Sequence, residues 1–342
     1  MLTNRDLAEL LALEADQNEG HRQRALRKAS RAAFMWPIEA TEHIAEGRSL
    51  RDLPRIGAWL NVIIRGWLED PPEVPEADPL RRGFLTFAEA RAVVDDNPSW
   101  KKGLKGDLQM HSEHSDGKNT IADMAFTAAE YGYEYIAITD HSKGLKIAGG
   151  MTEDELLEQG QEIDALNADL ASKGHEFRVL KALEMNINPS GEGDMEPDSL
   201  QNLDLVLGSF HSSLRKTEDQ TDRYIAALRN PHFKVLGHPR CRIYNFRAGL
   251  WADWSRVFGE AASNDKAVEI NSHPNRQDLN VDLLKMAKKE GCRFSIGTDA
   301  HAPWELEFRW LAVAAAITAG IPQERVINYM ARDQLLEWSK GT

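Results

Sequence analysis

The chain has little cysteine. Cys241 and Cys292 are the only two in 342 residues, and neither belongs to a paired metal-binding spacing. A disulfide framework and a zinc finger are therefore excluded, and a reducing, cytoplasmic setting is expected. Long apolar runs are also absent. Residues 310–319 form the longest, which is alanine-rich, too short to span a bilayer, and reads as a buried helix. Met1 is followed by polar and charged residues, so no signal peptide and no membrane partner are expected. Positive charge is in deficit, with a formal net charge of −13. Such a chain offers no broad electrostatic footprint for nucleic acid, so any DNA contact must come from local basic patches. No internal repeat or low-complexity tract occurs.

What is present is ordinary globular composition, 42% hydrophobic and 28% charged, in a length that suits one large domain and one small one. Residues 1–69 read as a small helical domain. Thr3 or Asn4 caps a helix through Leu7, Leu10, Leu11 and Leu13. A second helix carries Arg22, Arg24, Arg27, Lys28 and Arg31 and breaks at Pro37. Leu53-Pro54-Arg55-Ile56-Gly57 then precedes a helix with Trp59, Leu60, Ile63, Ile64 and Trp67. That pentapeptide resembles the hairpin of a helix-hairpin-helix module, with Arg55 in place of the first glycine. The resemblance implies weak DNA contact at Arg55 and Gly57; a bundle used only for packing is the alternative. Residues 70–103 read as a Pro- and acid-rich linker and a bridging helix that starts at the Thr86/Glu89 capping box.

From about residue 104 to 342 strands and helices alternate. Strands are expected at 108–111, 135–139, 177–184, 203–210, 234–237, 267–271 and 293–297. Capped helices are expected from Asn119 or Thr120, from Thr152 with Glu155, from Thr217 with Gln220, and from Val281 to the stop at Gly291. Regular alternation argues for parallel strands with outer helices, an α/β barrel or open sheet.

The strand ends share a chemistry. They finish on Gln109, His111 and Asp116; on Asp140-His141; on Glu184; on His211; on His238; on Glu269 and Asn271; and on Asp299 and His301. In a (β/α) barrel these ends converge on one mouth. A lone histidine is most often a satisfied structural residue, but histidines and carboxylates at successive strand ends point to metal. His21, His43, His175 and His232 fall outside the set and read as solvent-facing. His114 stands in the first turn and is ambiguous. His273 reads as rim. Lys143, Arg215, Arg240, Arg242 and Arg276 follow strand ends at the same mouth and are candidates for binding a substrate phosphate. Asp140 is placed to orient a histidine ligand.

Asp107-Leu108-Gln109-Met110-His111 with Ser115-Asp116-Gly117, then Thr139-Asp140-His141, Glu184, His211, Gly237-His238-Pro239 and Thr298-Asp299-Ala300-His301 carry a resemblance. They resemble the motifs of the PHP (polymerase and histidinol phosphatase) domain family. Within it they are most similar to the PHP domain of bacterial family X DNA polymerases, supported by Ile147-Ala148-Gly149-Gly150, Gly208-Ser209-Phe210-His211-Ser212 and Glu269-Ile270-Asn271. The N-terminal helices are similar to the small first domain of those polymerases. Nothing here corresponds to their catalytic polymerase domain, so polymerase activity is not expected.

The resemblance implies a distorted seven-stranded (β/α) barrel holding up to three divalent metals, Zn, Mn or Fe. The first would take Gln109, His111, Glu184 and Asp299. The second would take Glu184, His211 and His238, and the third Asp116, His141 and His301. Glu184, His211 and Asp299 would be the catalytic set. Gln109 departs from the family, which has histidine there; an amide oxygen is a weaker, neutral donor. The expected function is a metal-dependent phosphoesterase in which a metal-activated hydroxide attacks phosphorus, with a DNA 3′ end as substrate, by 3′-5′ exonuclease or 3′-phosphatase action. The alternatives are a small-molecule phosphatase of the histidinol-phosphatase type and a non-catalytic DNA-binding protein with a silent metal site.

Overall fold

The structure, a computed structural model, describes residues 1–341, and the chain divides into two compact units at Asp96/Asn97. The first unit is helical. Helix α1 (Asn4–Asp16) starts at Thr3, whose side chain and that of Asp6 cap each other's backbone N–H. It packs on α2 (Gly20–Ala33), with Leu7, Leu11 and Leu26 fully buried. The basic residues Arg22, Arg24 and Lys28 lie on the outer face of α2. A short α3 (Ala40–Ala45) and α4 (Ala58–Glu69) follow. His43 differs from the solvent-facing reading: it is buried, with Nε2 2.9 Å from the Ser49 carbonyl oxygen.

Arg55 has φ of 69°, the left-handed conformation that the absent glycine would supply, and Gly57 is the N-cap of α4. Helix α5 (Phe87–Asp95) has the expected Thr86/Glu89 capping box. It lies within the first unit: the Phe87 N–H donates to the Phe34 carbonyl and Arg5 pairs with Glu89 at 2.7 Å. Arg81 likewise pairs with Glu9 of α1 at 2.9 Å. Within the stretch read as linker and bridge, Arg81 and Glu89 are thus tied to α1 by ion pairs, which composition alone does not reveal.

The second unit is built on seven parallel strands in sequential order, β1 (Gly106–Asp107), β2 (Tyr135–Ile138), β3 (Arg178–Asn186), β4 (Leu205–Ser209), β5 (Val235–Leu236), β6 (Ala267–Asn271) and β7 (Arg293–Gly297). The sheet closes between β7 and β1 through irregular bonds. Leu108 N–H donates to Ile296 O at 3.2 Å, Asp299 N–H to Gln109 O at 2.9 Å and His111 N–H to Ala300 O at 2.8 Å. The first strand therefore ends before residue 108. The buried Asp107 carboxylate takes the Gln109 and Thr298 backbone N–H groups, both at 3.1 Å, and ends the regular ladder.

Helices Ile121–Glu130 and Glu153–Ser172 start at the capping boxes of Thr120 and Thr152, as expected. Helix Thr221–Leu228 starts later than Thr217 because Asp219, not Thr217, accepts the first free N–H, that of Thr221, at 2.8 Å. No helix among the described residues is long and apolar enough to cross a membrane.

Tyr135, Ala137, Leu180, Ala182, Leu205, Leu207, Val235 and Ala267 fill the lower barrel, closed beneath by Ile327, Leu335 and Trp338. Period two along a strand then fixes what comes above. Leu180 and Ala182 point inward, so Glu184 does too; Ala267 points inward, so Glu269 and Asn271 follow. The hydrophobic plug thus aims a layer of polar side chains at the upper mouth.

Candidate metal centre

Glu184 is the hub of that layer. It is fully buried, and four imidazoles from four other strand ends surround its carboxylate. Oε1 lies 2.8 Å from His238 Nε2 and 3.3 Å from His211 Nε2. Oε2 lies 3.4 Å from His141 Nδ1 and 3.6 Å from His111 Nε2. Burial opposes the charge, but the imidazoles of His141, His238 and His211 hold the carboxyl well below its ordinary range.

Two further carboxylates complete the arrangement. Asp299 Oδ1 is 3.1 Å from His111 Nε2. Asp116 Oδ1 is 3.2 Å from His301 Nε2 and 3.6 Å from His141 Nε2. The His111 ring stacks between those of His141 and His301, with centroids 4.5 and 4.4 Å away. Burial lowers His141 to about 3, whereas Asp299 and Glu184 overcome burial and push His111 up to about 9. Donor atoms thus gather in three groups: His111, Glu184 and Asp299; His141, Glu184 and His211; and His111, Asp116, His141 and His301.

These residues fit divalent ions on structural grounds. Glu184 Oε2, His111 Nδ1, His141 Nδ1 and both nitrogens of His211 are buried without a hydrogen-bond partner. Buried polar atoms are seldom left so, and here they converge in one place. Mixed imidazole and carboxylate donors suit Zn, Mn or Fe. His238 and Asp299 have φ of 24° and 56°, backbone strain of the kind that collects at functional sites.

Gln109 is fully buried beside this cluster. Its Oε1 accepts from Asn271 Nδ2 at 3.0 Å, and the same nitrogen is 3.2 Å from Asp299 Oδ2. Asn271 is itself fixed, because its Oδ1 accepts the His273 backbone N–H at 3.1 Å. Glu269 is the residue whose importance sequence reading missed. Its Oε2 takes the His238 backbone N–H at 2.5 Å, and burial pushes its carboxyl well above the usual range. The signal was available, since Glu269 ends the sixth strand in step with Glu184. Gly297 has no room for a side chain: a Cβ there would lie 2.2 Å from Glu269 Oε1 and 2.6 Å from Gln109 Cβ.

Asp140 does not orient a histidine. Its Oδ1 takes the Ser112 N–H at 2.8 Å and the Ser115 hydroxyl at 2.5 Å. Its Oδ2 takes the Ser112 hydroxyl at 2.5 Å and Gln159 Nε2 at 2.6 Å. It therefore shapes the turn that delivers Asp116. Asp140→Asn should cost about 2 kcal/mol in urea unfolding of the metal-free protein, since an amide turns a donor toward donors. It should also loosen metal at the Asp116 end; unchanged unfolding would remove this assignment.

The candidate phosphate-binding cations divide. Arg242 is buried, its Nε donating to the carbonyls of Arg276 at 2.8 Å and Gln277 at 3.1 Å, so it is scaffold. Lys143 pairs with Glu153 at 2.5 Å. Arg276 Nε lies 2.8 Å from Asp299 Oδ2, inside the cluster. Arg240 Nη2 donates to the Ala248 carbonyl at 2.7 Å. Arg215 is exposed. His114 Nε2 lies 2.8 Å from Glu162, and the His273 ring packs edge-on against Phe308.

The sequence pattern of the PHP domain family matches residues 107–273. A DNA polymerase/3′-5′ exonuclease PolX from Bacillus subtilis (strain 168) is 39% identical over 259 residues, 75% of this chain and 43% of that protein. This chain thus spans less than half the length of that relative. A probable phosphatase from Acetivibrio thermocellus is 30% identical over 197 residues, 55% of this chain and 75% of the relative. Among solved structures, histidinol phosphate phosphatase from Lactococcus lactis subsp. lactis, complexed with zinc, L-histidinol and phosphate, aligns at 20% identity. It covers 63% of this chain and 94% of that one with a TM-score of 0.48.

Proposed function

Because this chain belongs to the PHP domain family and is a metal-dependent phosphoesterase, we propose that its substrate is the 3′ end of a DNA strand, trimmed as a 3′-5′ exonuclease or 3′-phosphatase. The observation that carries this reading is the 39% identity, over 75% of the chain, to a protein named a 3′-5′ exonuclease. His111, Glu184 and Asp299, with Gln109 beside them, would hold one ion. Glu184, His211 and His238 would hold a second, and Asp116, His141 and His301 a third. Ions held there would supply Lewis acidity toward phosphoryl oxygens and toward a water.

The protein's own groups do the rest. Glu184, His211 and Asp299 line the reacting position. Glu269, whose carboxyl burial pushes well above its usual range, holds the His238 backbone in its strained turn. Arg215, Arg240, Arg276 and, when released from Glu153, Lys143 orient the ester, while Arg242 stays engaged in the scaffold. Arg55 and Gly57 would add a weak DNA contact from the helical unit. The two cysteines are unpaired and buried, consistent with a cytoplasmic setting.

A small-molecule phosphatase is the second reading, favoured by the probable phosphatase whose length this chain covers to 75%. Metal-stripped protein should be reloaded with Mn²⁺, Zn²⁺ or Fe²⁺ and given p-nitrophenyl phosphate, histidinol phosphate, and single-stranded DNA with and without a 3′-phosphate. Nucleotides from the labelled strand, or phosphate from its 3′-phosphorylated form, are expected. Phosphate from small monoesters alone would replace the DNA reading with the second. DNA binding with no hydrolysis under any metal would leave a silent site.

A further inference from the structure

The loop that follows β5 begins at His238 and returns at Leu250, and it is tightly bonded to itself and to the loop after β6. Leu250 N–H donates to Arg240 O at 2.8 Å, Tyr244 N–H to Asn275 O at 2.7 Å, and Ile243 and Arg247 exchange backbone bonds at 2.9 Å. Arg247 Nε fixes the Cys241 carbonyl at 2.6 Å. At the tip of this braced loop the Phe246 ring is 57% exposed. A flexible loop could fold such a ring away; this one holds it in water.

The neighbouring loop, after β4, reaches across. Arg215, four residues beyond His211, places its guanidinium carbon 5.6 Å from the Phe246 ring centroid. Arg215 makes no ion pair with a carboxylate among the described residues. Arg247 lies near enough to Arg276 and to Arg215 that each repels its charge. In a chain of net charge −13, this places one guanidinium, that of Arg215, against an exposed π-face, with Arg247 close by. A single phosphate monoester would use only part of that charge and none of the ring. A strand that alternates phosphates with bases uses both.

We propose that Phe246 and Arg215 form a platform for single-stranded nucleic acid at the rim of the metal centre, the ring stacking a base near the 3′ end and Arg215 meeting a backbone phosphate. The platform rests on reading the cluster as a phosphoesterase centre acting on a strand. Stacking on an aromatic ring tolerates any base, so the site would select strand over monoester without reading sequence.

The test is binding of a fluorescein-labelled oligothymidine with a 3′-terminal phosphorothioate to the Mn²⁺-loaded full chain. Phe246→Leu keeps apolar bulk without a π-face and should weaken binding about tenfold, while Phe246→Tyr should restore it. Arg215→Gln should lower the slope of log affinity against log salt by about 0.7. Melting temperature and metal content of each variant report whether it is folded and loaded. Wild-type binding that is indifferent to Phe246→Leu and Arg215→Gln overturns the platform, as does wild-type protein that binds no oligonucleotide. If in either case the unmodified strand is still degraded, the platform falls while the 3′-end reading stands. If the strand is bound through Phe246 but never cut, the platform stands and the 3′-end reading falls.

Discussion

Glu184→Gln is expected to lower kcat on any accepted ester by about three powers of ten or more. The estimate follows from the position of this carboxylate among four imidazoles, at 2.8 to 3.6 Å. An amide of the same shape carries no charge and has one oxygen to offer instead of two. Both donor groups that share Glu184 would lose a carboxylate, the only one in the group of His141 and His211, so metal analysis should find fewer ions per chain. Metal stabilisation of developing phosphoryl charge is worth several kcal/mol, which corresponds to about 10³ in rate. The substitution is nearly isosteric, so folding is testable separately by circular dichroism. A Glu184→Gln protein that retains both its metal and activity within about tenfold of wild type would show that the hub lies elsewhere.

Much of this centre was legible because barrel strands end in register. Glu184, His211, His238, Asp299 and His301 could be gathered from sequence, since period two and parallel order carry each donor to one mouth. The same rule governs Glu269 and Asn271, whose roles were not legible. Their partners, the His238 backbone and Gln109, lie 31 and 162 residues away, and no local pattern encodes such bonds. Charge was misleading for a related reason. Arg242 stands at a strand end as Arg215 does, but the carbonyls of Arg276 and Gln277 already occupy it. Asp140 shows how two roles share one signal: a carboxylate before a histidine can orient the ring or fold the preceding turn, and here Ser112 and Ser115 take it. In the helical unit, Arg55 takes the left-handed conformation that glycine adopts most readily.

Gln109→His should raise occupancy of the first ion, the donor group of His111, Glu184 and Asp299. Gln109 Oε1 and Asp299 Oδ2 approach the same Asn271 nitrogen, at 3.0 and 3.2 Å, so the amide lies beside the carboxylate of that group. A neutral amide oxygen there is a weak donor, and an imidazole suits Zn or Fe better. Residues that merely orient metal ligands change affinity by about 10- to 100-fold, and a donor beside the ion should matter at least as much. In a chelator titration the wild type should release one ion before the rest, and Gln109→His should delay that release. The neighbours constrain the result. Asn271 can donate to an unprotonated imidazole nitrogen as it does to the amide, but the ring must fit against Gly297, where Gln109 Cβ already fills the place of a side chain. Gln109→Ala separates bulk from donor: it should lose the first ion while leaving the Asp116, His141 and His301 group loaded. Identical metal content and release curves for wild type, Gln109→His and Gln109→Ala would mean that the amide serves only Asn271.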